Sequence, residues 1–160
     1  MNDITIPIFS YGILRKKGLL KSFLSQYGLK EVRVVADYIE GYVPYNSGQI
    51  NFVFPVNNKQ KKKHKDADFM VRGSLLFFSG SKSMLKELYN DIDRIEAGYQ
   101  KTIITTKGGQ QAYVYFMDNA YKRFYDYTNI SHVVYPDSIL DDETIKNEHT
   151  ADIYDLVREI

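Results

Sequence analysis

Glu96 follows directly on Met84, Leu88, Ile92 and Ile95, apolar residues that recur at spacings of four, four and three, as on one face of a helix. A carboxylate at the edge of such a face is partly withdrawn from water, and it stands at the helix end where the backbone dipole is negative. Both effects disfavour the charged form and move its pKa toward the range useful for proton transfer. Glu96 is therefore a candidate general acid and base. As an ordinary surface residue it would instead pair with Arg94, Lys101 or Lys86. A second candidate element is Ile8-Phe9-Ser10-Tyr11-Gly12-Ile13-Leu14, where an apolar strand runs into a Tyr-Gly break. Gly12 permits a turn with positive φ, and backbone N–H groups from Tyr11 to Leu14 turned outward there can hold a carboxylate. Taken alone, the same residues also describe a plain strand-to-loop turn.

The elements that must position these groups follow from periodicity and turn chemistry. Residues 4 to 10 alternate as a short buried strand. Leu19 to Tyr27 reads as a helix with Leu20, Phe23 and Leu24 on one side, stopped at Gly28. Val32, Val34, Ala36, Tyr38 and Tyr42 favour a long strand with a bulge or bend at Gly41, which would help to curl a sheet. Pro44 and Asn46-Ser47-Gly48 mark a turn before a strand through Ile50, Phe52 and Phe54. Phe69 to Phe78 is a further strand, Ser79-Gly80-Ser81 introduces the helix that carries Glu96, and Gly98 ends it. Tyr99 to Thr106 and Gln111 to Phe116 are strands joined through the turn Lys107-Gly108-Gly109-Gln110. Mostly consecutive strands with two inserted helices predict an α+β fold with a curled sheet or small barrel, not an alternating doubly wound one. The segment from residue 57 to 68 holds five lysines between Lys59 and Lys65 and no apolar residue before Ala67, and is predicted to be a solvated loop.

Composition narrows the function classes. A chain of 160 residues, 44% hydrophobic and 26% charged, suits one domain with a sizeable core. A net charge of +1 gives no global attraction to nucleic acid or anionic membranes, and no apolar run approaches the ~20 residues of a membrane span. The first ten residues lack the pattern of a secretory signal, so a cytoplasmic location is the default expectation. With no cysteine, disulfides and thiolate chemistry are excluded. His64, His132 and His149 lack metal-ligand spacing, and Ser10 and Ser74 lack a nucleophile elbow. All five are expected to make surface hydrogen bonds, and no metal is expected. Of the fourteen tyrosines, Tyr99 and Tyr115 are candidates to line a pocket.

Three segments occur in a telling order: FSYGILRKKG from Phe9, then Arg72-Gly73-Ser74-Leu75-Leu76-Phe77-Phe78, then Asp93-Arg94-Ile95-Glu96-Ala97-Gly98-Tyr99. In this order the chain resembles the gamma-glutamylcyclotransferase superfamily, in its small plant and bacterial avirulence-induced-gene-like branch. That family has a YGTL-type loop after the first strand, a GxLY-like strand, and a D-x-x-E-G element carrying the catalytic glutamate. The resemblance spans roughly residues 4 to 118, with residues 119 to 160 an extension of the same domain. Ile13 stands where Thr or Ser is usual, Ala97 separates Glu96 from the expected glycine, and Lys101 lies where Arg is commoner. The resemblance implies a small barrel with flanking helices, Glu96 as catalytic residue, and Tyr11, Gly12, Ile13, Leu14, Tyr99 and Tyr115 as substrate-binding residues. It also implies a small gamma-glutamyl substrate, cyclised to 5-oxoproline with release of its amine and without a cofactor.

Two other readings stay open at this level. A binding protein on the same fold without turnover would accommodate Ile13 and Ala97. A nucleic-acid-associated module would use Lys59 to Lys65, although no aromatic residues are interleaved there. Residues 137 to 160 carry eight acidic side chains, and Asp152 to Ile160 is predicted to be an amphipathic helix docking through Ile153, Leu156 and Val157.

Overall fold

Strand alternation and one parallel pairing set the architecture. The computed structural model describes residues 2–11, 14, 17–46, 51–56, 58–63 and 69–117. Over these the chain forms β1 (Ile8–Ser10), α1 (Lys17–Gln26), β2 (Glu31–Glu40), β3 (Tyr42–Asn46), β4 (Asn51–Pro55), α2 (Asn58–Lys63), β5 (Met70–Ser79), α3 (Lys82–Ile95), β6 (Gln100–Thr105) and β7 (Gln111–Phe116). Five strands make a mixed sheet in the order β2-β5-β1-β7-β6, and β3 pairs with β4. Pairing in the larger sheet is antiparallel except between β1 and β7. The fold class is α+β.

Because successive strand side chains point to opposite faces, the core is sorted into two layers. Ile8, Val34, Leu76 and Tyr113 face α1 and α3, where they join Leu20, Phe23, Leu88 and Ile92. Phe9, Ile39, Leu75 and Val114 face the other way and close on Val53 of β4. The sheet is curled around this second layer. Lys107 N–H, in the turn between β6 and β7, donates to the Tyr38 carbonyl of β2 at 2.9 Å. Met117 N–H, just after β7, donates to the Val53 carbonyl at 3.0 Å. Since β2 and β6 are the outermost strands of the order, the first bond requires the two edges to approach each other.

Asp37 reinforces that approach, its carboxylate accepting from Tyr38 N–H at 2.7 Å and from Gly108 N–H at 3.1 Å. Asp37→Ala is expected to cost about 1.5–3 kcal/mol, the usual worth of hydrogen bonds to a charged group. The check is a shift of the urea midpoint at unchanged slope; an unmoved midpoint would mean that the turn is held by its backbone bond alone.

Helix α3 starts where its cap allows, with the Ser81 side chain accepting from Met84 N–H at 3.3 Å. Its buried face is Leu85, Leu88, Tyr89 and Ile92, spaced as one helical stripe. The expected stripe through Met84 and Ile95 is corrected at both ends. Met84 only flanks the core, and Ile95 is 46% exposed, because the run Leu85-Leu88-Tyr89-Ile92 rotates Ile95 off the packed side at the helix end. The expected loop from residue 57 is also corrected, since Asn58–Lys63 is helical with Lys61 and Lys62 exposed. Lysine and glutamine are good helix formers, and a helix with no apolar face leaves no periodic signal. Ser10 and Ser74 are not surface residues: they are 4% and 0% exposed and oppose each other across β1 and β5. Both lie on interior strands of the sheet, which neither serine's own polarity announces. The three histidines and the extension from residue 118 onward lie outside the described residues.

Candidate active site

The parallel pairing decides which residues meet. Ile8 stands opposite Tyr113 and Phe9 opposite Val114, so β1 and β7 leave the sheet at the same end. Strand β6 is antiparallel to β7 with Gln100 opposite Phe116, so it enters at that end too. Three segments far apart in sequence therefore converge: the loop that opens with Tyr11, the end of β7 with Tyr115, and the connection from Glu96 to Tyr99.

Glu96 is the C-cap of α3, with φ −93° and ψ 23°. Its N–H still donates to the Ile92 carbonyl at 2.9 Å, and Tyr99 N–H returns to the Glu96 carbonyl at 3.1 Å. Between them the chain reverses at Gly98, whose φ of +97° lies in the region that favours glycine. Ala97 is taken up in this reversal, and the carboxylate remains attached to the last helical turn. The Glu96 side chain is half-buried, and burial raises its pKa above the usual 4.5. Three phenols lie within electrostatic reach of it. Tyr11 is raised far above an ordinary phenol by burial first, then by Tyr99 and Glu96. Tyr115 is raised as strongly, by burial and then by Asp93 and Glu96, and Tyr99 rises through burial and the Glu96 charge. All three are neutral hydrogen-bond donors at physiological pH.

One helical turn before Glu96, Asp93 gathers a second set of polar groups. Its Oδ1 accepts from Tyr115 Oη at 2.6 Å and from Lys101 Nζ at 2.8 Å, while its Oδ2 accepts from Asn2 Nδ2 at 2.8 Å. Lys101 also donates to Asn2 Oδ1 and stands 4.7 Å from the Tyr113 ring centroid. Burial acts to raise the Asp93 carboxyl, but hydrogen bonds from Lys101, Tyr115 and Asn2 and the Lys101 charge outweigh it, leaving the pKa below its ordinary value. Tyr115 is engaged at its other end as well, its carbonyl accepting from Tyr11 Oη at 2.6 Å.

Of the residues singled out from sequence, Glu96, Tyr11, Tyr99 and Tyr115 are brought together. The Leu14 side chain is 3% exposed and packs with Leu20 and Ile8 in the core, so only its backbone is available to a ligand. Gly12 and Ile13 lie outside the described residues. Asn2 had no sequence signal, Asp93 entered only through the family resemblance, and Lys101, which the sequence offered as a partner for Glu96, pairs instead with Asp93. The usable clue was the spacing of Asp93 and Glu96, which at three residues apart share one side of a helix. Among the described residues no group of three or more His, Asp or Glu side chains is placed to hold a metal ion, and no helix is long and apolar enough to cross a membrane.

No protein-family model matches the chain, and no curated protein sequence does so at a significant level. Among solved structures, the chain is similar to the Arabidopsis thaliana protein At5g39720.1 in solution, with a TM-score of 0.50 and 15% identity over 91% of this chain and 83% of that one. The solution structure of At3g28950.1 from the same plant matches with a TM-score of 0.45 and 14% identity, over 96% of this chain and 80% of that one. The crystal structure of the uncharacterized protein PH0828 from Pyrococcus horikoshii matches with a TM-score of 0.46 and 19% identity, over 76% of this chain and 96% of that one. The likeness to At5g39720.1 is one of fold, and fold alone does not carry activity.

Proposed function

We propose that this chain is a gamma-glutamylcyclotransferase-like enzyme, on the small-barrel fold of that superfamily, which converts a small gamma-glutamyl amino acid or amine to 5-oxoproline and the free amine. The observation that carries the reading is Glu96: a half-buried carboxylate of raised pKa, at the point where the Tyr11 loop and the ends of β6 and β7 converge. The α+β fold with its curled mixed sheet and the order of the three sequence segments support it.

The chemistry asks for few groups. The substrate's α-ammonium gives a proton to Glu96, and the freed amine attacks its own γ-carbonyl carbon, forming the C–N bond of a five-membered lactam. Glu96 then returns that proton to the leaving nitrogen as the original amide C–N bond breaks. The second proton, shed by the attacking nitrogen as it becomes the lactam N–H, passes through the same carboxylate to the released amine, which departs as an ammonium. Atoms and charge balance without an external reagent. Backbone N–H groups from Tyr11 to Leu14, with Gly12 and Ile13 between them, hold the substrate's α-carboxylate and so fold the chain toward attack. Tyr99 and Tyr115 shield Glu96 from water, which maintains its raised pKa. The Tyr11 hydroxyl is already donated to the Tyr115 carbonyl, so Tyr11 serves through its ring and backbone.

Incubation with gamma-glutamyl amino acids, gamma-glutamyl-ε-lysine and glutathione is expected to yield 5-oxoproline from at least one of them. Thermal stabilisation by members of this panel with no 5-oxoproline would instead identify a binding protein without turnover. The acidic limb of kcat/KM supplies a second check. Glu96 must be deprotonated to accept the ammonium proton, so activity rises as pH increases through its pKa. Because burial raises that pKa, the limb should lie above pH 4.5. A limb at or below that value would assign the proton transfer to another group.

A further inference from the structure

We propose that Asp93 is a positioning residue for Glu96: its carboxylate ties the last turn of α3 to Tyr115, Lys101 and Asn2, and thereby fixes where the Glu96 side chain is held. The inference rests on the reading of Glu96 as the acid–base group and adds what aims it.

Glu96 stands where a helix is least constrained. The last carbonyls of a helix lack onward partners, and its final turn frays unless something outside the helix holds it. Asp93 lies within that turn and three residues before Glu96, a spacing that places the two Cβ atoms about 5–6 Å apart on one side. Its three partners come from three different segments: Asn2 from the chain start at 2.8 Å, Lys101 from β6 at 2.8 Å and Tyr115 from β7 at 2.6 Å. A helix end bound in three directions can neither unwind nor rotate without breaking charge-assisted bonds.

Tyr115 extends the tie to the proposed carboxylate-binding loop. Its hydroxyl is given to Asp93 while its carbonyl receives the Tyr11 hydroxyl at 2.6 Å, so one residue binds both Tyr11 and the helix end. Lactam closure needs that coupling, because the substrate's carboxylate and its ammonium are held by different segments and must keep a fixed separation. The polarity of the link is also constant. Tyr115 stays protonated because of burial and the neighbouring Asp93 charge, and Asp93 stays ionised. Lys101 offsets the Asp93 charge, so a second carboxylate close to Glu96 adds little net negative potential.

The test compares Asp93→Asn, Tyr115→Phe and the double variant, each close in size to the parent side chains, by steady-state kinetics and by NMR titration of the Glu96 carboxyl. Each single change is expected to lower kcat by roughly 10- to 100-fold with KM nearly unchanged, the scale of a misplacement of about 1 Å. The double variant should be no slower than the slower single one, since both remove the same tie. In Asp93→Asn the Glu96 titration should fall toward its ordinary value, because a loosened helix end admits water. Should Asp93→Asn fail to fold, Tyr115→Phe carries both readouts, as it deletes one hydroxyl only. The proposal is overturned by folded variants with parental kcat, by losses that multiply independently, by a change in KM alone, or by an unmoved Glu96 titration. A parent that forms no 5-oxoproline from the whole panel would sink the cyclotransferase reading, and the titration would then decide the positioning role by itself.

Discussion

Glu96→Gln is expected to abolish most turnover while leaving a folded and slightly more stable protein. The amide keeps the size and hydrogen-bonding capacity of the carboxylate but accepts no proton at neutral pH. General acid–base transfer commonly contributes about 100- to 10,000-fold, and a loss of that order should appear in kcat with little change in KM. The stability effect has the opposite sign for a definite reason. Burial raises the folded-state pKa of Glu96 above 4.5, so the group favours folding at low pH, when neutral, and that contribution is lost as pH rises through the folded pKa. At neutral pH the parent therefore buries a charge at some cost, which glutamine removes. Rate and thermal midpoint measured on the same preparation give a joint outcome. Near-normal turnover on a substrate that the parent processes would make Glu96 a structural residue and end the proposed mechanism.

Gly73→Ala is expected to destabilise the fold by about 3 kcal/mol, at the upper end of the usual cost of overpacking. A Cβ at this position would lie 2.5 Å from the Ser10 carbonyl oxygen and 2.5 Å from Phe9 Cζ. The oxygen belongs to backbone in the β1–β5 ladder, so it cannot give way as the tip of a flexible side chain would. Relief requires β1 and β5 to separate just where β1 leaves the sheet toward Tyr11. The loss should appear in urea unfolding, and substrate binding should weaken in the fraction that remains folded. An unchanged unfolding midpoint would show that the strands can part by several tenths of an ångström at little cost. The glycine of the Arg72-Gly73-Ser74-Leu75 segment is thus explained by packing in the sheet and needs no direct contact with a ligand.

Several parts of the site are legible from local chemistry. The helix into Glu96 is announced by Ser81 at its start, by Leu88 and Ile92 along its apolar side, and by Gly98 at its exit. The perturbed carboxylate follows from its place at the end of that side. The hairpin through Gly108 and Gly109 and the strand before Tyr11 are likewise consequences of residue type within a few positions. Such features are set by φ preferences and by spacing along one element, and these need no knowledge of the remaining chain.

Other features depend on partners far away in sequence. Nothing near Ile8 specifies that β1 sits between β5 and β7, nor that it runs parallel to the latter; only competition among all the strands for buried edges decides this. Yet that pairing is what brings Tyr11, Tyr115 and Glu96 to one end of the sheet. Ser10 and Ser74 are buried because β1 and β5 meet in a particular register, whereas as isolated residues they read as polar surface. Asp93 reads as an ordinary exposed acid until Asn2, Lys101 and Tyr115 arrive from three directions. The kinds of groups available for chemistry, and the local elements that bear them, were therefore in the amino-acid order. Their convergence was decided by tertiary pairing, since hydrogen bonds and packing between residues nearly a hundred positions apart exist only once the whole sheet has closed.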